Sequence, residues 1–136
     1  MMKLFLCIDD EGGMTFMDRR VSLDGVVTDD IAAIAGEGLS VFPYSERLFK
    51  EAGYSPRVIK SSADAPRGDG SLFIEERSPA AFLDGTDTVV IYKWNRLYPS
   101  DLQIDFSPID EGFVLTESLD MVGVAHEKIT RETYTR

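Results

Sequence analysis

The sequence contains very little cysteine and histidine. Cys7 is the one cysteine and His126 the one histidine among 136 residues. A single cysteine excludes a disulfide within the chain and is typical of a reducing compartment. A single histidine is too few for the cluster with which two-metal hydrolases hold their ions and activate water. Because Cys7 lies in an apolar run, we interpret it as a packing residue and not as a nucleophile.

Basic residues and long apolar runs are scarce as well. Fourteen Lys and Arg oppose 24 Asp and Glu, which gives a net charge of -10. A surface of this sign repels phosphate backbones and anionic lipids, so we expect neither nucleic-acid binding nor membrane association. The apolar segment before Asp9 is too short for a signal-peptide core or a membrane span. The sequence therefore predicts a cytoplasmic protein.

The pattern that is present predicts one α/β domain over residues 1–136. The length suits one compact core, and 43% of the residues are apolar. Apolar strands alternate with short helices, and the last forty residues alternate apolar and polar side chains, which is typical of antiparallel strands. We predict a three-layer domain with a mostly parallel central sheet and antiparallel C-terminal strands. The predicted strands cover residues 2–8, 39–43, 57–60, 71–74, 88–94, 103–106, 112–118 and 128–135, and a loop covers 61–70.

Capping signals predict where the helices begin and end. Thr28 is a good N-cap for an apolar segment that stops at Gly36, which places Asp29 and Asp30 in the first turn. Ser45 is predicted to cap the second helix, over residues 45–52. Ser78 and Pro79 predict a third, short helix over residues 78–83.

The best candidate for a site follows the first strand. A loop with two glycines leads to Arg19, Arg20, Ser22 and Asp24. Open α/β sheets bind ligands at the carboxyl ends of their strands, and two guanidinium groups beside a hydroxyl can hold a phosphate or carboxylate. In the alternative interpretation the arginines only fix the loop, by pairing with aspartates at positions 9, 10, 18 or 24.

Two further groups of residues are weaker candidates. Trp94 ends the most apolar strand and either forms the wall of a pocket or packs in the core. Asp9 and Asp10 could join His126 in a mononuclear metal site, although an isolated histidine is more often structural. We predict no metal site.

The order of these elements resembles that of the dihydrofolate reductase fold over nearly the whole chain. The chain also resembles a group of small bacterial proteins of unknown role, some of which are labelled ribonuclease Z. The shared segments are Cys7-x-Asp9-Asp10-x-x-Gly13-Met14-x-Phe16-x-x-Arg19-Arg20-x-Ser22-x-Asp24, Trp94-Asn95-Arg96-x-Tyr98-Pro99 and His126-Glu127-Lys128-Ile129-Thr130.

The resemblance implies the reductase fold without its cofactor site. Reductases of this fold carry two adjacent glycines where this chain has Glu75 and Glu76, so that a pyrophosphate can approach the backbone. Their Arg-x-Thr for the cofactor's extra phosphate corresponds to residues 43–45, which retain only the cap serine. We therefore expect no nicotinamide-dependent reduction and no cofactor.

Three functions remain open from the sequence. The leading hypothesis is non-redox binding of a small anionic ligand, phosphate- or nucleotide-like, at Arg19, Arg20, Ser22, Asp24 and Trp94. One alternative is a metal-dependent hydrolase or phosphodiesterase that uses Asp9, Asp10 and His126. The other is an interaction module whose strands over 112–135 pair with a second copy in a homodimer. We favour a binding protein over an enzyme.

Overall fold

The computed structural model describes residues 1–66 and 68–136. The predicted loop over 61–70 contains a short 3-10 turn at Ser62–Asp64, and its residue 67 lies outside the described part. A longer 3-10 segment, Pro79–Gly85, takes the place of the predicted third helix, and a short one at Gly36–Gly38 follows the first helix. The strands and α-helices are β1 (Met2–Ile8), β2 (Gly13–Phe16), β3 (Arg19–Arg20), α1 (Gly25–Ala35), β4 (Leu39–Val41), α2 (Pro43–Glu51), β5 (Arg57–Val58), β6 (Ser71–Phe73), β7 (Thr86–Lys93), β8 (Leu102–Gln103), β9 (Val114–Met121) and β10 (Ile129–Thr135).

A seven-stranded sheet forms the centre of the molecule, in the order β5-β4-β6-β1-β7-β10-β9. The first five strands of this order are parallel, while β10 is antiparallel to both β7 and β9. The predicted sheet, mostly parallel with antiparallel C-terminal strands, is confirmed. The strand β1 lies between two parallel neighbours, which explains its nearly continuous apolar sequence.

The two faces of the sheet carry separate apolar layers. Side chains alternate along β1, so Leu4 and Leu6 face one layer and Phe5 faces the other. The Leu4 layer packs against the segment Pro79–Gly85, whereas the Phe5 layer packs against both α-helices. The result is the predicted three-layer α/β arrangement.

The segment after β1 is a hairpin and not the predicted loop. Strands β2 and β3 pair antiparallel, and β8 pairs with the other edge of β2. Met17 and Asp18 connect the hairpin with φ angles of 50° and 64°. A two-residue turn with both φ angles positive matches the twist of the flanking strands. The hairpin holds Arg19 and Arg20 in extended backbone, where consecutive side chains point to opposite faces.

The helix α1 begins earlier than predicted, because Asp24 and not Thr28 is its N-cap. The Asp24 carboxylate accepts the backbone N–H of Val26, and the helix then runs to the predicted stop at Gly36. Asp30 consequently lies within the helix and not in its first turn. There it accepts hydrogen bonds from the Tyr92 hydroxyl at 2.6 Å and from Arg131 at 2.8 Å.

The prediction that Ser45 caps α2 is also wrong. The helix starts at Pro43, its N-cap is Phe42, and no side chain caps it. Proline suits this first position because its fixed φ is already helical. The Ser45 hydroxyl is buried and donates to Glu75 instead, at 2.5 Å.

The strand β9 forms one edge of the large sheet and exposes both faces along most of its length. Pairing of this region with a second copy stays a prediction. Among the residues that the structure describes, no helix combines the length and apolarity needed to cross a membrane.

Candidate functional site

A pocket opens at the carboxyl ends of three neighbouring parallel strands. Cys7 near the end of β1, Phe73 at the end of β6 and Trp94 just after β7 contribute to its floor. These strands are adjacent in the sheet, in the order β6-β1-β7. The pocket therefore lies where the sequence placed the best candidate for a site, beside the segment that follows β1.

Two elements close the sides of this pocket, whose enclosed part has a volume of about 20 Å³, room for about one water molecule, and is continuous with the solvent at its mouth. The helix α1 and its cap form one wall, and the residues on and after the β2–β3 hairpin form the other. A side chain from α2 and one that follows β6 complete the lining. Besides the floor, the lining residues are Met14, Arg20, Ser22, Leu23, Asp24, Val27, Thr28, Ile31, Leu48 and Glu75.

An ion pair between Arg20 and Glu75 joins the hairpin to the end of β6. The Arg20 Nε and Nη2 atoms each donate to a different oxygen of the Glu75 carboxylate, both at 2.9 Å. Glu75 is 4% exposed. Hydrogen bonds to Glu75 raise the pKa of Arg20. The side chain of Arg20 thus brings the positive charge that a buried carboxylate needs.

The Asp24 carboxylate is buried and accepts four hydrogen bonds. Its Oδ1 atom accepts the N–H groups of Val26 at 3.0 Å and Val124 at 3.1 Å. Its Oδ2 atom accepts the N–H of Ala125 at 2.8 Å and the Nδ1 of His126 at 3.0 Å. Burial by itself would raise the pKa of Asp24, but these hydrogen bonds outweigh it and lower the pKa from 3.8 to about 2. Asp24 therefore fastens the start of α1 to the turn before β10.

This low pKa predicts a loss of stability in acid. Because the folded-state pKa of Asp24 is depressed, its contribution is complete above about pH 4 and disappears as the pH falls toward 2. The shift corresponds to about 2 kcal/mol in the free energy of unfolding. Urea unfolding at several pH values between 5 and 2 measures it, as the difference between the native protein and Asp24→Asn. A difference that stays constant across this range would contradict the prediction.

His126 connects Asp24 to Ser22. Since an ionised carboxylate can only accept, the Nδ1 atom of His126 carries the proton, and Nε2 of the neutral ring is an acceptor. The Ser22 hydroxyl lies 2.8 Å from this Nε2 atom, and the Tyr98 hydroxyl lies 3.2 Å from it. The Trp94 ring stacks on the imidazole with 4.7 Å between the ring centroids. His126 is thereby fixed in its tautomer and its orientation.

Cys7 lines the pocket as well as packing against the core, which the sequence did not predict. Burial raises the pKa of its thiol strongly, and the nearby Glu75 carboxylate raises it further. The thiol is protonated at neutral pH, so the structure gives Cys7 no nucleophilic character.

The structure brings most of the predicted ligand-binding residues together. Arg20, Ser22, Asp24 and Trp94 line one pocket. Arg19 is exposed and is not part of this lining, so the two arginines do not form a fork. None of the predicted aspartates pairs with Arg20, which binds Glu75.

The residues proposed for a metal site do not converge. Asp9 is buried; it accepts the backbone N–H groups of Glu11 and Gly13, which shape the turn after β1, and that of Tyr98, which joins this turn to the segment after β7. Asp10 is exposed. Across residues 1–66 and 68–136, no three His, Cys, Asp or Glu side chains form a group that could hold a metal ion.

Sequence reasoning missed the roles of Glu75 and Tyr98 in this region. Glu75 lies 55 positions after Arg20, and Tyr98 lies 28 positions before His126. The one signal for Glu75 is a carboxylate directly after an apolar strand, at the end where sites form.

A comparison with solved structures finds proteins of the same architecture. Dihydrofolate reductase from Enterococcus faecalis, in a complex with NADP(H) and RAB-propyl, matches 100% of this chain and 96% of its own with a TM-score of 0.68. The chain has the dihydrofolate reductase-like fold. The sequence identity is 14%, so the likeness concerns the fold alone. No family model matches the sequence, and a search of curated proteins finds no relative.

The end of β6 does not fit the pyrophosphate of a dinucleotide, although the fold is reductase-like. Glu75 and Glu76 stand where the resemblance to reductases expects two glycines. The Glu75 carboxylate is held by Arg20, and Glu76 accepts from Arg77 at 3.2 Å. Two acidic side chains at this position leave no open backbone for a pyrophosphate to approach, and the Glu75 charge is already paired with Arg20.

Proposed function

We propose that the protein binds a small anionic molecule in the pocket beside α1, without redox chemistry. The charged group of the ligand lies at Arg20, and its apolar body lies against Trp94 and the helix. One observation supports this proposal. The hydrogen-bonding groups of the pocket residues that have no partner among the described residues are donors, and an anion supplies acceptors.

Arg20 and Trp94 supply these donors. Glu75 engages Nε and Nη2 of Arg20, and Nη1 makes no hydrogen bond to the described residues. The Nε1–H group of Trp94 is buried and has no partner within residues 1–66 and 68–136. A buried donor left unpaired costs about 1 to 3 kcal/mol. An oxygen-rich ligand group would supply acceptors to both side chains.

The rest of the lining suits an apolar body. Val27, Ile31, Leu48 and Phe73 contribute aliphatic and aromatic surface, and Trp94 contributes a ring. Apolar walls with a few placed polar groups are typical of small-molecule sites. An inorganic anion alone would leave this surface in contact with water, so we expect the ligand to combine an anionic group with a ring.

Thermal unfolding tests this proposal with three probes: inorganic phosphate, benzoate and adenosine 5′-monophosphate. We expect a ring-bearing anion to raise Tm by about 8 °C at 100 times its Kd, and phosphate alone to raise it much less. Arg20→Lys keeps a charge beside Glu75 but removes the fork, so it should abolish most of the shift.

Arg19→Ala is the matched control, since this neighbouring arginine is exposed and lies outside the pocket. It should retain the full shift. Equal shifts in Arg20→Lys and the native protein would refute the assignment of Arg20 as the anion contact.

A further inference from the structure

Ser22, His126 and Asp24 form a hydrogen-bonded relay that ends inside the pocket. The Ser22 hydroxyl is 2.8 Å from Nε2 of His126, and Nδ1 of His126 is 3.0 Å from Asp24. His126 and Asp24 are buried, whereas Ser22 is half-buried and lines the pocket. A nucleophile, a base and a group that orients the base thus stand in hydrogen-bond contact, and the nucleophile is the most exposed of the three.

We propose that Ser22 is a nucleophile for acyl transfer and that the protein hydrolyses small carboxylic esters in this pocket. His126 is the general base, and Asp24 is a positioning residue that fixes the base in its Nδ1–H tautomer. This inference uses the pocket but does not depend on the ligand being an anion.

The reaction has two steps, acylation and deacylation of Ser22. The Ser22 Oγ atom attacks the ester carbonyl carbon while Nε2 of His126 takes the hydroxyl proton. The bond from carbon to the alcohol oxygen then breaks, and His126 returns the proton to the departing alcohol. In the second step a water molecule attacks the acyl-serine, His126 takes a proton from that water, and the acid leaves as Ser22 regains its proton.

Two side chains around the relay suit this reaction. The tetrahedral intermediate carries a negative oxygen, and Trp94, whose buried Nε1–H donor has no partner among the described residues, lines the same pocket. The stacked indole also holds the imidazole plane in place. Tyr98 contacts Nε2 at 3.2 Å and can accept a hydrogen bond from it once the imidazole is protonated.

Asp24 stays ionised throughout this cycle. Its four hydrogen bonds lower the pKa to about 2, so it accepts from Nδ1 of His126 in both protonation states of the ring. The two backbone N–H groups of Val124 and Ala125 hold the carboxylate against the imidazole.

Covalent labelling and ester turnover test the proposal on the whole protein. We expect phenylmethanesulfonyl fluoride to add one sulfonyl group, located on Ser22 by peptide mapping, and p-nitrophenyl acetate to be hydrolysed above the buffer rate. Ser22→Ala should accept no label and should lower the p-nitrophenyl acetate rate to that of buffer, with Tm unchanged. Ser118→Ala, an exposed serine on β9, should behave as the native protein does.

Further variants separate a catalytic relay from a structural one. Asp24→Asn keeps the size of the side chain but disturbs the tautomer of His126, so it should lower kcat by about 1000-fold or more and change KM much less. Trp94→Phe should lower kcat by about 10- to 100-fold. A sulfonyl group on Cys7 instead of Ser22, or a folded Ser22→Ala protein with the native rate, would overturn the proposal. If none of the anions raises the Tm of the native protein, the proposed function is overturned. Ester hydrolysis and labelling of Ser22 would still support this inference.

Discussion

Replacement of Asp24 by alanine is expected to lower the free energy of unfolding by about 3 to 5 kcal/mol. The change leaves the N–H groups of Val26, Val124 and Ala125 and the Nδ1–H of His126 without their acceptor. The first of these losses removes the N-cap of α1, which alone is worth about 1 kcal/mol. The others detach the turn before β10 from the helix. Urea unfolding at pH 7 measures the effect.

Asp29→Ala is the matched control for this prediction. Asp29 lies on the same helix, is exposed and accepts one hydrogen bond, from the Tyr54 hydroxyl at 2.8 Å. We expect it to cost less than about 1 kcal/mol. If Asp24→Ala were equally mild, the three hydrogen bonds to residues 124–126 would not hold the turn to the helix.

Arg20→Ala is the second substitution with a large expected effect, again about 3 to 5 kcal/mol. Glu75 is 4% exposed, and without Arg20 its charge would be left with the Ser45 hydroxyl as its one side-chain hydrogen-bond partner among the described residues. The double variant Arg20→Ala/Glu75→Gln removes that charge and should recover at least half of the loss. Chemical denaturation of the native protein, the single variants and the double variant gives the coupling energy.

The neighbouring Arg19→Ala should change stability by less than about 0.5 kcal/mol, since Arg19 is exposed. Comparison of Arg19→Ala with Arg20→Ala distinguishes the loss of a buried ion pair from the general effect of removing a positive charge from an acidic protein. A coupling energy near zero in the cycle would mean that Arg20 and Glu75 do not depend on one another.

The sheet could be predicted because its signals are local. The apolar runs of β1 and β7 reflect burial on both faces. The start of α1 could not be settled in this way, because Asp24 and Thr28 both have the chemistry of an N-cap. The contacts of Asp24 with Val124 and Ala125 lie 100 and 101 positions away.

Contacts between residues that are distant in the sequence were even harder to predict in the site. The position of the pocket followed from a general rule about the carboxyl ends of strands, and four of the five predicted ligand contacts line it. The connections among these residues were not predictable. Ser22 and His126 are 104 positions apart, and nothing in the neighbourhood of either residue indicates its partner. Local patterns record which side chains are buried, and they do not record which of those side chains meet.

The stacking of Trp94 on His126 makes the site observable during refolding. Trp94 is the only tryptophan of the chain, so indole fluorescence comes from this one position. Its neighbour His126 is tied to Asp24 across 102 residues, and closing so long a loop is entropically costly. The change in emission on refolding therefore follows the arrival of the turn before β10 at α1, whereas circular dichroism follows the sheet. Stopped-flow traces of the two signals would show whether the relay assembles together with the core or after it.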